Sequence, residues 1–84
     1  MRVYSRDLPT TRTSISDLVS ISMLQVSAVA LQAPAANIET AYFGTKNEQP
    51  FELRPEANAM LPVNNVKDVF IYGTLGDKIS IGLF

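Results

Sequence analysis

Few side chains in this sequence could make or break a covalent bond. It holds no histidine and no cysteine, so imidazole bases, thiolate nucleophiles and disulfides are excluded together. Nucleophilic chemistry would have to use serines and threonines served by Lys46, Lys67, Lys78 or a carboxylate, and no spacing couples any of these. Glu48, Glu52 and Glu56 lie four apart, but a loop, a short strand and a proline turn separate them, so they do not form a paired acid and base. Gly73, Gly76 and Asp77 have the composition of a phosphate or calcium loop. A phosphate cradle leads into a helix N-terminus, whereas a strand follows here, and a calcium loop needs several oxygen ligands at alternate positions; the stretch reads as a hairpin turn. Tyr42, Phe43, Phe70 and Tyr72 could stack on bases or sugars, but adjacent aromatics on a strand put one ring on each face, which sends one of each pair to the core. No catalytic, cofactor-binding or metal-binding residue is assigned, and a non-enzymatic protein is expected.

The 84 residues make one small domain, and a chain of this length has a modest core that often borrows stability from a disulfide, a metal or a partner. Without cysteine or histidine, a partner is the remaining source. Seven Lys and Arg stand against eight Asp and Glu, for a formal charge of -1, and no run concentrates the positive charge that nucleic-acid binding requires. The stretch ISDLVSISMLQVSAVAL, residues 15–31, is interrupted by Asp17, Gln25 and serines; it is too polar for a membrane span and is preceded by too long and acidic a segment for a secretory signal. Neither nucleic acid nor a membrane is an expected partner. One charge asymmetry stands out, because Arg2, Arg6 and Arg12 face only Asp7 at the start of the chain.

The elements read mainly as strands. Residues 1–12 mix charge with a Pro9 break and read as an N-terminal extended arm, with one short strand at Arg2–Ser5, ahead of a domain over 13–84. From Thr13, Ile15, Asp17, Val19, Ile21 and Met23 alternate with Ser14, Ser16, Leu18, Ser20, Ser22 and Leu24, a period-2 pattern, flawed at Asp17 and Leu18, that predicts a strand. A helix built on Leu18, Ile21, Leu24 and Ala28 is the competing reading, opposed by the β-branched residues and serines. Ala28–Leu31 predicts a short strand ended by Pro34, with Asn37 at a turn. Ile38–Gly44 is a further strand, 44–50 a polar loop, and 51–53 and 57–63 two short strands around Arg54-Pro55-Glu56. The last sixteen residues, VFIYGTLGDKISIGLF, predict a terminal hairpin whose second strand alternates Ile79, Ile81 and Leu83. About seven short strands with turn signals every eight to twelve residues predict a small antiparallel β-sandwich, jelly-roll-like in character. Its core is expected from Val19, Ile21, Val29, Leu31, Phe51, Leu53, Leu61, Val69, Ile71, Ile79 and Ile81.

From Val26 onward the order VSAVALQAPAAN, IETAYFG, FELRPEANAMLPVNN and VFIYGTLGDKISI resembles a group of small bacteriophage virion proteins. In that group a Leu-Gln-Ala-like run leads to an Asn-containing turn, a Tyr-Val-Gly-like strand, a Leu-x-Pro-Gly-like turn, a Leu-Pro-Val-Asn-like edge and a closing Tyr-x-x-Gly-Thr-x-Gly-Asp hairpin. Members place glycine after the turn proline where this chain has Glu56, so a turn type that tolerates negative φ is expected there. The resemblance implies a structural protein of the virion, made in the host cytoplasm. Foremost it implies a capsid decoration or cement protein on the major capsid protein lattice, as a homo-oligomer with a trimer favoured; the alternative is a neck, tail or baseplate adaptor. The arm supplies the partner-binding candidates Arg2, Val3, Tyr4, Arg6, Leu8 and Arg12: the arginines to pair with an acidic neighbour, Val3, Tyr4 and Leu8 to add apolar area or a strand to its sheet edge. Deleting residues 1–12 is expected to leave the sandwich folded.

Overall fold

Inward-facing aliphatic residues at every second position build two antiparallel four-stranded sheets. The computed structural model describes residues 2–21 and 25–84. The strands are β1 (Arg2–Asp7), β2 (Thr13–Ser14), β3 (Val29–Gln32), β4 (Ala41–Gly44), β5 (Phe51–Leu53), β6 (Asn58–Leu61), β7 (Phe70–Tyr72) and β8 (Lys78–Leu83), with a single helical turn α1 (Ile15–Leu18) and a 3-10 turn at Val66–Asp68. One sheet has the order β1-β8-β3-β6 and the other β2-β7-β4-β5. The two sheets pack as a small all-β sandwich over a core that includes Val29, Leu31, Leu53, Ile71, Ile79, Ile81 and Leu83. In β8 the alternation is complete: Ile79, Ile81 and Leu83 are buried, while Lys78, Ser80 and Gly82 face outward. That strand lies between β1 and β3, pairing Ile81 with Tyr4 on one side and Leu31 on the other. Burying each such side chain contributes about 1.5–3 kcal/mol.

Several expectations are corrected. The final residues do not form a hairpin, because β7 pairs with β2 and β4 whereas β8 pairs with β1 and β3. The 73–77 segment is an arch that carries the chain from one sheet to the other. Beside it, residues 8–12 cross between the same sheets, with the Leu8 N–H donating to Asp77 O at 2.8 Å and the Gly73 N–H to Pro9 O at 2.8 Å. Among the described strands, β4 and β5 are the consecutive pair that form a hairpin.

The strand expected from Ile15 is a helical turn instead. The Ser14 hydroxyl accepts the Asp17 N–H at 3.1 Å, so a Ser-x-x-Asp N-cap overrides the alternating pattern over Ile15–Leu18. The part of that strand at 22–24 lies outside the described residues. Within the expected core, Phe51 is 59% exposed, and Ile21 and Leu61 are only partly buried against the cluster. Ile15, Ala41, Phe43, Val66 and Leu8 take up the volume.

The Arg54–Ala57 turn also departs from expectation. The Ala57 N–H donates to Arg54 O at 2.9 Å and Glu56 sits at φ 71°, which is the type II geometry that normally selects glycine at the third position. Glu56 therefore holds a left-handed conformation instead of avoiding it.

Candidate partner-binding surfaces

The lysines and carboxylates weighed and set aside as catalytic groups are dispersed. Lys78 lies 2.6 Å from the Asp7 carboxylate on the surface, and this hydrogen bond, reinforced by the ammonium's charge, holds the Asp7 carboxyl below its usual range. Glu48, Glu52 and Glu56 are exposed on the 45–50 loop, on β5 and on the 54–57 turn. Among the described residues no three His, Cys, Asp or Glu side chains come together as metal ligands. Tyr42 and Tyr72 stack at 5.4 Å between centroids across β4 and β7, with Phe43 buried behind them; Phe70 and Tyr72, two apart on β7, share its half-buried outer face and send no ring to the core, where Ile71 stands instead.

The residues read as an arm belong to the sandwich. Arg2–Asp7 pairs along its length with β8, from Arg2 opposite Leu83 to Asp7 opposite Lys78. Side chains alternate: Val3 is 67% exposed, Tyr4 packs against the core, and Leu8 is buried in it. Arg6 points toward the inner side, where its guanidinium lies 5.2 Å from the Tyr4 ring centroid. Its Nε donates to Leu18 O at 3.3 Å and its Nη1 to Ser5 O at 3.0 Å, bridging β1 to α1 across the open side of the sandwich. Arg12 is separate from these, donating to Lys46 O at 2.8 Å. Of the six expected contact residues, Leu8 is consumed by the core and Arg12 by the 45–50 loop. Arg2, Val3, Tyr4 and Arg6 remain together on an edge strand.

A second surface lies at the end of the sandwich where the β7–β8 arch meets the β3–β4 loop. Asp77 is buried, and its two carboxylate oxygens accept the N–H groups of Ile38 at 3.0 Å and Glu39 at 3.1 Å. Asn37 completes the tie: its Nδ2 donates to Lys78 O at 2.7 Å and its Oδ1 accepts the Lys78 N–H at 2.8 Å. Within the arch the Asp77 N–H donates to Thr74 O at 3.1 Å and Gly76 stands at φ 94°, a type II turn with Leu75 at its second position. The result is a pair of loops fixed to each other that holds out two aliphatic side chains, Ile38 at 81% and Leu75 at 83% exposure. Sequence reasoning treated Asp77 as turn chemistry and Asn37 as a turn marker; no local pattern signals that they join loops about forty residues apart.

The outward face of the β1-β8-β3-β6 sheet is graded in rows. Val3, Gly82, Ala30 and Met60 lie directly opposite one another across all four strands, the next row is Ser5, Ser80, Gln32 and Asn58, and Asp7 pairs with Lys78 beyond it. Gly82 and Ala30 leave a shallow trough that Phe84 borders. Comparison with family models, with curated proteins and with solved structures gives no match.

Proposed function

We propose that this chain is a non-enzymatic structural protein of a bacteriophage virion that works by contact with other subunits, foremost as a decoration protein on the capsid lattice. The sequence resemblance from Val26 onward supplies the virion context. The observation that carries the contact role is the Asn37–Asp77 tie, which spends two buried polar side chains on fixing loops that display Ile38 and Leu75. Solvent-exposed aliphatic groups gain nothing from being held still. A contact surface does gain, because ordering costs are met before binding.

The test is incorporation. An Ile38→Ser, Leu75→Ser double variant alters side chains that the fold does not bury and adds no charge beside the Asp77 carboxylate, so its thermal midpoint should stay close to the parent while its copy number in particles falls steeply. Full retention of the variant would overturn the tip as the contact, and absence of the unaltered protein from particles would overturn the virion role. Where the protein is present, a copy number that scales with the capsid lattice supports decoration, and one equal to a single ring assigns it to the neck, tail or baseplate.

A further inference from the structure

We propose that the protein self-associates through β1, as a two-fold dimer in which the two β1 strands pair antiparallel and join the two four-stranded sheets edge to edge. The inference rests on the geometry of β1 and does not depend on the virion reading. Since the Leu8 N–H donates to Asp77 O in continuation of the β1–β8 register, the even-numbered residues of β1 exchange hydrogen bonds with β8. The N–H and C=O groups of Val3, Ser5 and Asp7 therefore point away from β8, at an edge that no other described strand pairs. The Arg6 Nη1 bond to Ser5 O is independent evidence that this carbonyl faces outward.

One self-complementary register uses all of these groups. Ser5 sits opposite Ser5 of the second copy on the two-fold axis, and Val3 opposite Asp7 of the second copy, so that every outward N–H and C=O of the three residues finds a partner. The intervening pairs place Tyr4 opposite Arg6 of the other copy on the inner side, the cation–π pairing that these side chains already make within one chain. A slip of two residues in one direction sets Arg2 against Arg6 and leaves the Asp7 groups without a partner inside β1, and a slip of one residue reverses the faces. The other edges are shorter: β6 has four residues, β5 three and β2 two, against six in β1. In the single chain, Arg6 folds along the edge and occupies Ser5 O. Pairing requires that guanidinium to release Ser5 O and move onto the neighbouring Tyr4, so Arg6 guards the edge against other strands while favouring a second copy. A six-residue edge is narrow beside the roughly 1,200–2,000 Å² that stable interfaces bury, and the dimer is expected to be reversible and concentration-dependent.

Sedimentation velocity over a concentration series should show a monomer–dimer equilibrium. Ser5→Pro removes an N–H that β8 does not use, so it should abolish the dimer while the thermal midpoint stays close to the parent. Register is read by thiols, for which the chain is a clean background because it has no cysteine. With a short bifunctional thiol reagent, Ser5→Cys should cross-link to itself at least tenfold faster than Val3→Cys alone, whose two copies would lie about 14 Å apart at 3.4 Å per residue. A mixture of Val3→Cys and Asp7→Cys should cross-link efficiently. A protein monomeric to millimolar concentration, a trimer, or equal self-linking of Ser5→Cys and Val3→Cys would each overturn the proposal. Should Ser5→Pro fail to fold, the cross-linking pattern still decides it.

Discussion

Replacing Asp77 by alanine tests whether one buried carboxylate holds the apolar tip. The side chain accepts two backbone N–H groups, from Ile38 at 3.0 Å and Glu39 at 3.1 Å, and hydrogen bonds to a charged group contribute about 1.5–3 kcal/mol each. Ile38 and Glu39 are themselves exposed, so water can partly replace the lost acceptor, which places the expected cost at the lower part of the combined range, about 3–4 kcal/mol. Against a total stability of about 5–15 kcal/mol, and with each kcal/mol worth about 4–8 °C in a domain of this size, the midpoint should fall on the order of 10–30 °C. Asp77→Asn should lose at least half as much, since its amide group opposes one of the two N–H donors. Urea and thermal unfolding measure the cost, and amide hydrogen exchange at Ile38 and Glu39 locates it. Asn37→Ala should be non-additive with Asp77→Ala, because both side chains tie the same two loops. Unchanged midpoint and unchanged protection at Ile38 and Glu39 in Asp77→Ala would refute the clasp and, with it, the rigidity of the Ile38–Leu75 tip.

Glu56→Gly should raise stability by about 0.5–1 kcal/mol in a thermal melt, since a left-handed non-glycine residue costs about 1–2 kcal/mol and glycine returns part of that as unfolded-state entropy. Gly44→Ala should destabilise by at least about 1–2 kcal/mol because its Cβ would meet the backbone carbonyl oxygen of Glu48, whereas Gly82→Ala, whose nearest neighbours lie at 3.4 Å or beyond, should sit within about 0.5 kcal/mol of the parent. The Asp7 carboxyl, held low by its hydrogen bond to Lys78, should titrate by NMR below the usual value of about 3.9 and move up toward it in Lys78→Ala. A depressed folded pKa means that its contribution is complete above the unfolded value and is lost as pH falls through the folded one. Deleting residues 1–12 should abolish the cooperative melt, since it removes β1 and β2's approach and takes Leu8 from the core; a melt near the parent temperature would restore these residues to the status of an arm.

The parts of the fold that were legible in the sequence are those that period-2 burial specifies. Ile79, Ile81 and Leu83 announced β8, Val29 and Leu31 announced β3, and all five are buried where the alternation put them. The 13–24 stretch misled because two signals overlap in it. Alternating β-branched residues favoured a strand, while Ser14 and Asp17 spelled a helix N-cap, and the cap decided the conformation as far as Leu18. In residues 1–12 the short strand at Arg2–Ser5 was legible, but its place in the sheet was not: charged residues spoil the appearance of alternation, yet an edge strand tolerates charge on both faces. Arg6 is turned inward only because it can reach Leu18 O and Ser5 O at the open side.

Partner choice between strands is a further step that local pattern does not encode. The glycines and Asp77 between β7 and β8 specify a reversal of the chain, and both a hairpin and an arch between sheets satisfy that reversal. What selects the arch lies elsewhere: Leu8 and Pro9 supply backbone partners to Asp77 and Gly73, and the 38–39 amides supply partners to the Asp77 carboxylate. The candidate contact surface was illegible for the same cause. Ile38 and Leu75 look like ordinary strand and turn residues in the sequence, and are displayed from the same end of the sandwich only because the long-range bonds of Asn37 and Asp77 tie their loops together. In this protein Asp77 both helps to fix the arch and, with Asn37, ties the loops that display the proposed contact, so a variant that loosens this tie should lose contact with partners before it loses the β-sheet core.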